Sequence, residues 1–86
     1  MTRQSIKVID KPGLKHRLSN RKLFGEAWDN GEIWINPNQS EAERLNTVLH
    51  EALHVLYPKW TEGRILRVAN RLSDVVWRDG WRRRKV

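Results

Sequence analysis

The sequence predicts a small α+β domain in which a short antiparallel sheet packs on two helices. Two observations predict it: the first part of the chain alternates β-like runs with turn signals, and the second part carries two helical apolar patterns with capping residues. The 86 residues contain no cysteine, which excludes disulfides and thiolate metal sites. We expect one domain over residues 1–86, made of strands and a hairpin (5–36), two helices (41–57 and 61–79) and a basic tail (80–86).

Three strands are predicted in the first part of the chain. Residues 5–10 form the first strand, which ends at the turn signal Lys11-Pro12-Gly13. Residues 22–28 and 32–36 form a hairpin across Asn30-Gly31, because Asn-Gly is the strongest short-range hairpin signal.

The length of this turn decides which side chains share a face of the hairpin. A two-residue turn at Asn30-Gly31 places one set of side chains toward the helices and another set away from them. One face then carries Trp28, Ile33 and Ile35, and the other carries Ala27 and Trp34.

Capping signals bound the two predicted helices. Ser40-Glu41-Ala42-Glu43 is a capping box, so the first helix should begin at about Glu41, and Pro58 stops it after Tyr57. Thr61 caps the second helix, which continues to Asp79-Gly80. Apolar residues recur at helical spacing along it: Ile65, Ala69, Leu72 and Val76.

The first helix contains His50-Glu51-Ala52-Leu53-His54, an H-E-x-x-H sequence. Positions i and i+4 of a helix lie about 40° apart, so both imidazoles can reach one metal ion. Glu51 lies at the edge of that face, where it can accept a proton from a metal-bound water without being a ligand. The pattern predicts one zinc ion per chain with Glu51 as the catalytic base. The structural alternative is a pair of core histidines hydrogen-bonded to the backbone.

A catalytic zinc site needs a third protein ligand, and Glu62 is the candidate. It follows His54 by eight residues, just past the break at Pro58. It projects within about 40° of the apolar stripe of the second helix, toward the helix that carries the imidazoles. An acid favoured by the helix dipole is the alternative. His16, which the hairpin separates from the pair, is expected to be a surface residue.

Residues 47–56 resemble the extended zincin metallopeptidase signature, in which uncharged residues surround H-E-x-x-H. The glutamate after a short break makes the chain similar to the gluzincin branch, particularly to minimal zinc peptidase-like domains. These include SprT-like and ImmA/IrrE-like proteins and small phage or prophage metallopeptidase-like proteins. The resemblance extends over residues 32–83, from the strand Ile33-Trp34-Ile35-Asn36-Pro37 to the ending Val76-Trp77-Arg78-Asp79-Gly80-Trp81-Arg82-Arg83.

The resemblance implies a zinc metalloendopeptidase with His50, His54 and Glu62 as ligands and Glu51 as general base. It also implies that a peptide or protein substrate adds as a β-strand to the strand before the active-site helix. That strand comprises Glu32, Ile33, Trp34, Ile35 and Asn36.

Two features of the pattern are weaker. Larger gluzincins have an aspartate four residues after the third ligand, but Leu66 stands there, so no residue that orients the imidazoles is identified. Tyr57 lies on nearly the same side of the helix as His50. It is a candidate for binding the substrate by stabilising the oxyanion that forms during hydrolysis. Packing at the helix end is the other interpretation of Tyr57.

The chain carries 17 Lys and Arg against 10 Asp and Glu, a formal net charge of +7. This suggests a second class of function, a nucleic-acid-binding domain whose zinc site is structural or vestigial. The supporting segment is the tail 77–85, in which Trp77 and Trp81 interleave with basic residues, although these rings could equally pack on the domain. A purely structural zinc domain is a third possibility, but such sites usually close all four coordination positions.

The sequence predicts no membrane partner. No stretch is long and apolar enough to cross a bilayer, and the amino end lacks the apolar core of a signal peptide. The cytoplasm is therefore the expected compartment. No residue pattern specifies an oligomeric state.

Overall fold

The computed structural model describes residues 5–15 and 23–84. Along the chain lie β1 (Lys7–Asp10), β2 (Gly25–Ala27), β3 (Glu32–Ile35), α1 (Glu41–Leu56) and α2 (Glu62–Arg78). A three-stranded sheet with two packed helices confirms the predicted α+β class. The predictions for His16, for Lys22 in the second strand and for the last two residues of the tail lie outside the described residues. Within the rest of the strand predicted over 22–28, β2 covers only Gly25–Ala27.

The sheet is mixed, with the strand order β1-β3-β2. β2 runs antiparallel to β3, with Glu26 opposite Trp34, whereas β1 runs parallel to β3, with Val8 opposite Ile33. The prediction of a wholly antiparallel sheet is therefore wrong for β1. Residue patterns identify a strand but carry no direction, and β1 pairs with the edge of β3 that the hairpin leaves open.

The hairpin has a three-residue loop instead of the predicted two-residue turn. Trp28 accepts a hydrogen bond from Gly31 N (3.1 Å) and donates one to Glu32 O (2.9 Å), and Gly31 has a φ of 87°. This is a turn followed by a left-handed residue, for which glycine is suited. The extra loop residue shifts the register by one position and exchanges the faces.

The predicted faces of the hairpin are consequently wrong. Ala27 lies opposite Ile33 and so shares the buried face with it and with Ile35. Trp28 shares the other face with Trp34, and their ring centroids lie 4.6 Å apart.

Both helices begin and end where their capping residues indicate. Ser40 N donates to Glu43 Oε1 (3.0 Å) and Glu43 N donates to Ser40 Oγ (3.2 Å), the two bonds of a capping box. Thr61 Oγ1 accepts from Arg64 N at 3.2 Å and starts α2 in the same way. Between the helices, Pro58 prevents α1 from continuing.

α1 packs against the sheet on one side and against α2 on the other. Ile33 and Ile35 of β3 are fully buried, and Leu53 of α1 packs with Ile65 and Ala69 of α2 in a second buried cluster. Because α1 is the central element, side chains on its remaining face can meet both the sheet edge and α2. Within residues 5–15 and 23–84, neither helix has the length and apolar character needed to traverse a bilayer.

Candidate metal centre

The H-E-x-x-H sequence lies in the second half of α1, and His54 is two residues before the end of the helix at Leu56. His50 and His54 project from one side of the helix, and their ring centroids lie 5.0 Å apart. The chain turns at Pro58, and α2 begins at Glu62 beside the histidines. Local helical spacing therefore pairs the imidazoles, and the turn between the helices brings the carboxylate to them.

The Glu62 carboxylate contacts both imidazoles. Glu62 Oε1 lies 2.7 Å from His50 Nε2, and Glu62 Oε2 lies 2.9 Å from His54 Nε2. One donor atom from each of the three residues falls within 4.8 Å of the other two. The structure thus brings together the three residues that the sequence predicted as ligands.

These three groups fit a zinc ion both in the type of donor atom and in the distances between the donor atoms. Two imidazole nitrogens and one carboxylate oxygen are typical of catalytic zinc sites with a fourth position open. Tetrahedral ligand atoms at zinc-bond lengths lie about 3.3 Å apart. The two Glu62–imidazole distances of 2.7 and 2.9 Å and the 4.8 Å limit for the whole set are on this scale. The Glu62 side chain is 66% exposed and that of His50 is 16% exposed, so the cluster opens to solvent on the Glu62 side.

Glu51 lies beside this cluster and is half-buried. Burial, and then the negative charges of Glu62 and Glu26, raises the pKa of Glu51 to about 7. A carboxylate with a pKa in this range accepts and releases protons readily at neutral pH. The sequence predicted Glu51 as the general base. It did not predict the influence of Glu26, because only the fold places β2 close to Glu51.

Gly25 allows β2 to approach α1 closely at this point. A Cβ built on Gly25 would lie 2.5 Å from Thr47 Cγ2 and 3.1 Å from Glu51 Cγ, which is closer than a side chain tolerates. Sequence reasoning also missed Gly25. A lone glycine inside a strand is a recognised sign of close backbone approach and could have indicated it.

An open groove of about 560 Å³ lies between β2 and the end of α1. It brings three carboxylates to one concave surface next to the metal cluster. Its lining residues are Gly25, Glu26, Ala27, Trp28, Asp29, Glu51, His54, Val55 and Pro58. The groove therefore connects the outer edge of the sheet to the candidate base and to one candidate ligand.

The predicted substrate strand is wrong, because β3 is the central strand and both of its edges are already paired. Ile33 and Ile35 are fully buried, and Trp34 Nε1 donates to Glu32 Oε1 at 3.0 Å. Asn36 is 2% exposed and hydrogen-bonds to neighbouring backbone. A peptide has no unpaired backbone on β3 to bind.

Among residues 5–15 and 23–84, the strand edge next to the groove that pairs with no other strand belongs to β2. Trp28 N donates to Glu32 O and Phe24 O accepts from Asn36 N, so these two residues face β3. By the alternation of an antiparallel ladder, the backbone groups of Gly25 and Ala27 face away from β3, toward the groove side.

Tyr57 is placed at the end of α1, where its ring stacks on Trp60. The two ring centroids lie 4.2 Å apart with an interplanar angle of 10°. Tyr57 is absent from the described residues that line the groove. The geometry favours the packing interpretation of this residue over an oxyanion contact.

The described part of the basic tail folds back on the helices. The Arg82 guanidinium lies 3.4 Å from the Trp77 ring centroid and donates to Trp77 O at 2.8 Å. Arg83 pairs with Glu41 at 2.8 Å. Two of the basic residues that suggested a nucleic-acid-binding tail therefore have partners within the domain.

Comparisons with protein-family models, with curated proteins and with solved structures found no match for this chain. A proposal for function therefore rests on the site itself, which consists of the groove and the cluster of His50, His54 and Glu62.

Proposed function

We propose that this protein is a zinc-dependent metallopeptidase. The observation that carries the proposal is the convergence of two imidazoles and one carboxylate within 4.8 Å, next to a half-buried glutamate in an open groove. These residue types in this arrangement are those that peptide hydrolysis at a zinc ion requires.

His50, His54 and Glu62 would hold the ion, one per chain. A bound zinc ion supplies a water of lowered pKa and an electrophile toward a carbonyl oxygen. Glu51 accepts a proton from water and returns it to the leaving amine, because its carboxylate borders the groove beside the ligands. The side chain of Glu51 lies against Gly25 of β2. Its carboxylate therefore stays close to the groove in which the scissile bond would lie.

The substrate would be an extended peptide segment that pairs with the outer edge of β2. Backbone groups of Gly25 and Ala27 offer hydrogen bonds along this edge, and the edge borders the groove that contains Glu51. An extended segment is the expected form because strand addition requires an unpaired backbone. The substrate strand moves from β3 to β2 in this proposal.

The proposal is tested by comparing the wild-type protein with Glu51→Gln, both purified without chelator. Elemental mass spectrometry should find about one zinc per chain in each, because Glu51 is not a ligand. Cleavage of an unfolded protein substrate should fall at least about 100-fold in Glu51→Gln. Glu32→Gln, which removes a carboxylate outside the groove, is the matched control and should keep full activity.

Two results would contradict the assignment. Wild-type protein that takes up no zinc would remove the metal site, and Glu51→Gln protein that cleaves at the wild-type rate would remove the general base. A structural zinc domain would instead gain stability on zinc binding, while the wild-type protein would show no cleavage.

A further inference from the structure

α2 presents a row of arginines to solvent. Its only basic residues are four arginines, all exposed: Arg64, Arg67, Arg71 and Arg78. At about 100° per residue these positions lie within about 60° of one another around the helix. Three of them are separated by seven residues each, so the row extends for about 21 Å along the helix. We call this surface the arginine face.

The part of the chain that the structure describes neutralises the arginine face only in part. Arg78 pairs with Asp74 at 2.9 Å, and the Arg64 guanidinium lies 4.4 Å from the Trp60 ring centroid. In residues 5–15 and 23–84, the guanidinium groups of Arg67 and Arg71 have neither an ion pair nor a hydrogen bond. These two charges are therefore available to an external anion.

Charge is segregated between the two sides of α2. Glu62 lies about 170° around the helix from the middle of the arginine face, on the side that meets α1. The groove beyond it is lined by the carboxylates of Glu26, Asp29 and Glu51. A polyanion is consequently repelled from the groove and attracted to the outer side of α2.

We infer that the arginine face binds the phosphate backbone of double-stranded DNA. One helix fixes the spacing of the four arginine positions. Each guanidinium group can donate two parallel hydrogen bonds to the oxygens of one phosphate. The major groove of B-form DNA admits an α-helix, whereas the major groove of an RNA duplex is too narrow. A membrane surface fits less well, because Ile65 and Ala69 of α2 are buried against α1. The exposed apolar side chains Leu66, Leu72 and Val75 are spread around α2 and form no continuous apolar face that could insert.

This inference does not depend on the proposed peptidase activity. The arginine face and the groove lie on different sides of α2, so DNA and a peptide could be bound together. Contacts to phosphate alone carry no base information, so the binding should be independent of sequence and sensitive to salt.

The test measures binding of the zinc-loaded full chain to a fluorescein-labelled DNA duplex of about 20 base pairs, by anisotropy, between roughly 50 and 200 mM salt. Four phosphate contacts predict a slope of log K against log salt of about −3.6. Arg67→Gln/Arg71→Gln should reduce the magnitude of that slope by about 1.8 and weaken binding at least about tenfold at the lowest salt.

Lys7→Gln/Lys15→Gln is the matched control, because it removes two exposed positive charges that lie outside α2. It should retain the wild-type slope, and circular dichroism should show both variants folded. Equal binding by the arginine variant and the wild type would overturn the inference. So would equal losses in the two variants, tighter binding to an RNA duplex, or binding only to vesicles that contain phosphatidylserine.

Discussion

Gly25 of β2 lies directly against the side chain of Glu51 on α1. A Cβ at Gly25 would come within 3.1 Å of Glu51 Cγ and 3.3 Å of Glu51 Oε2. The absence of a side chain at this one position lets the free sheet edge approach the candidate base. The position of the Glu51 carboxylate relative to β2 therefore depends on glycine at position 25.

Gly25→Ala should lower the free energy of unfolding by about 1–3 kcal/mol, because the added methyl overlaps Thr47 Cγ2 at 2.5 Å. Urea denaturation measures the change. Gly63→Ala is the control, since a Cβ there meets nothing within 4 Å and the residue lies in a helix. That variant should be more stable than the wild type by about 0.5–1 kcal/mol. Equal stability of the two variants would contradict the close approach of β2.

The raised pKa of Glu51 makes the metal-free protein less stable at high pH. Its folded pKa of about 7 exceeds the ordinary value of 4.5, so the folded state binds the proton more tightly. That contribution is complete below about pH 4.5 and is lost as the pH rises through 7. With chelator present, the wild type should lose about 2 kcal/mol relative to Glu51→Gln between pH 5 and pH 8.

Urea denaturation at both pH values measures this difference, and the amide of Glu51→Gln does not titrate. Glu32→Gln is the control and should follow the wild type. A difference between wild type and Glu51→Gln that is the same at both pH values would show that the carboxyl titrates outside this window.

Zinc should stabilise the wild-type protein, because the ion binds the folded cluster and not the unfolded chain. At a concentration about 100 times the Kd, the gain is about 2.7 kcal/mol. The melting temperature should then rise by about 10 °C or more for a domain of this size. His54→Ala should lose this rise, because it removes a donor that lies 2.9 Å from Glu62 in the wild type.

Calorimetry with and without zinc gives the comparison. Lys15→Ala, a substitution away from the cluster, should keep the full rise. A His54→Ala protein that is stabilised as much as the wild type would place the ion elsewhere.

Proline at Ala27 should weaken peptide cleavage while leaving zinc binding intact. The N–H of Ala27 faces away from β3, so proline removes a hydrogen bond to substrate without breaking the ladder. Loss of one such bond should reduce kcat/KM about tenfold. Steady-state kinetics on an unfolded substrate measures it.

Val8→Pro is the matched control on the opposite edge of the sheet. Lys7 N donates to Gly31 O, so the N–H of the next residue faces outward, and Val8 is 45% exposed. This variant should cleave at the wild-type rate. Equal losses in Ala27→Pro and Val8→Pro would indicate a general weakening of the sheet and would remove β2 as the substrate edge.

Local residue patterns were sufficient for the helices and for the pairing of the histidines. The capping box at Ser40 and the break at Pro58 fix the two ends of α1 through local interactions. Helical periodicity alone then places His50 and His54 on one side of the helix. Glu62 was also predicted, because helical spacing places it within about 40° of the apolar stripe of α2, toward the helix that carries the histidines.

Only the tertiary structure decided how the strands meet and which edge borders the site. Gly31 takes a left-handed φ in a three-residue loop, and this single extra residue reverses the faces of the hairpin. β1 pairs with β3 in parallel and so covers the edge predicted to bind substrate. The physical reason is range: helix caps and periodicity act over a few residues, whereas strand order and direction depend on contacts between segments that are distant in the chain.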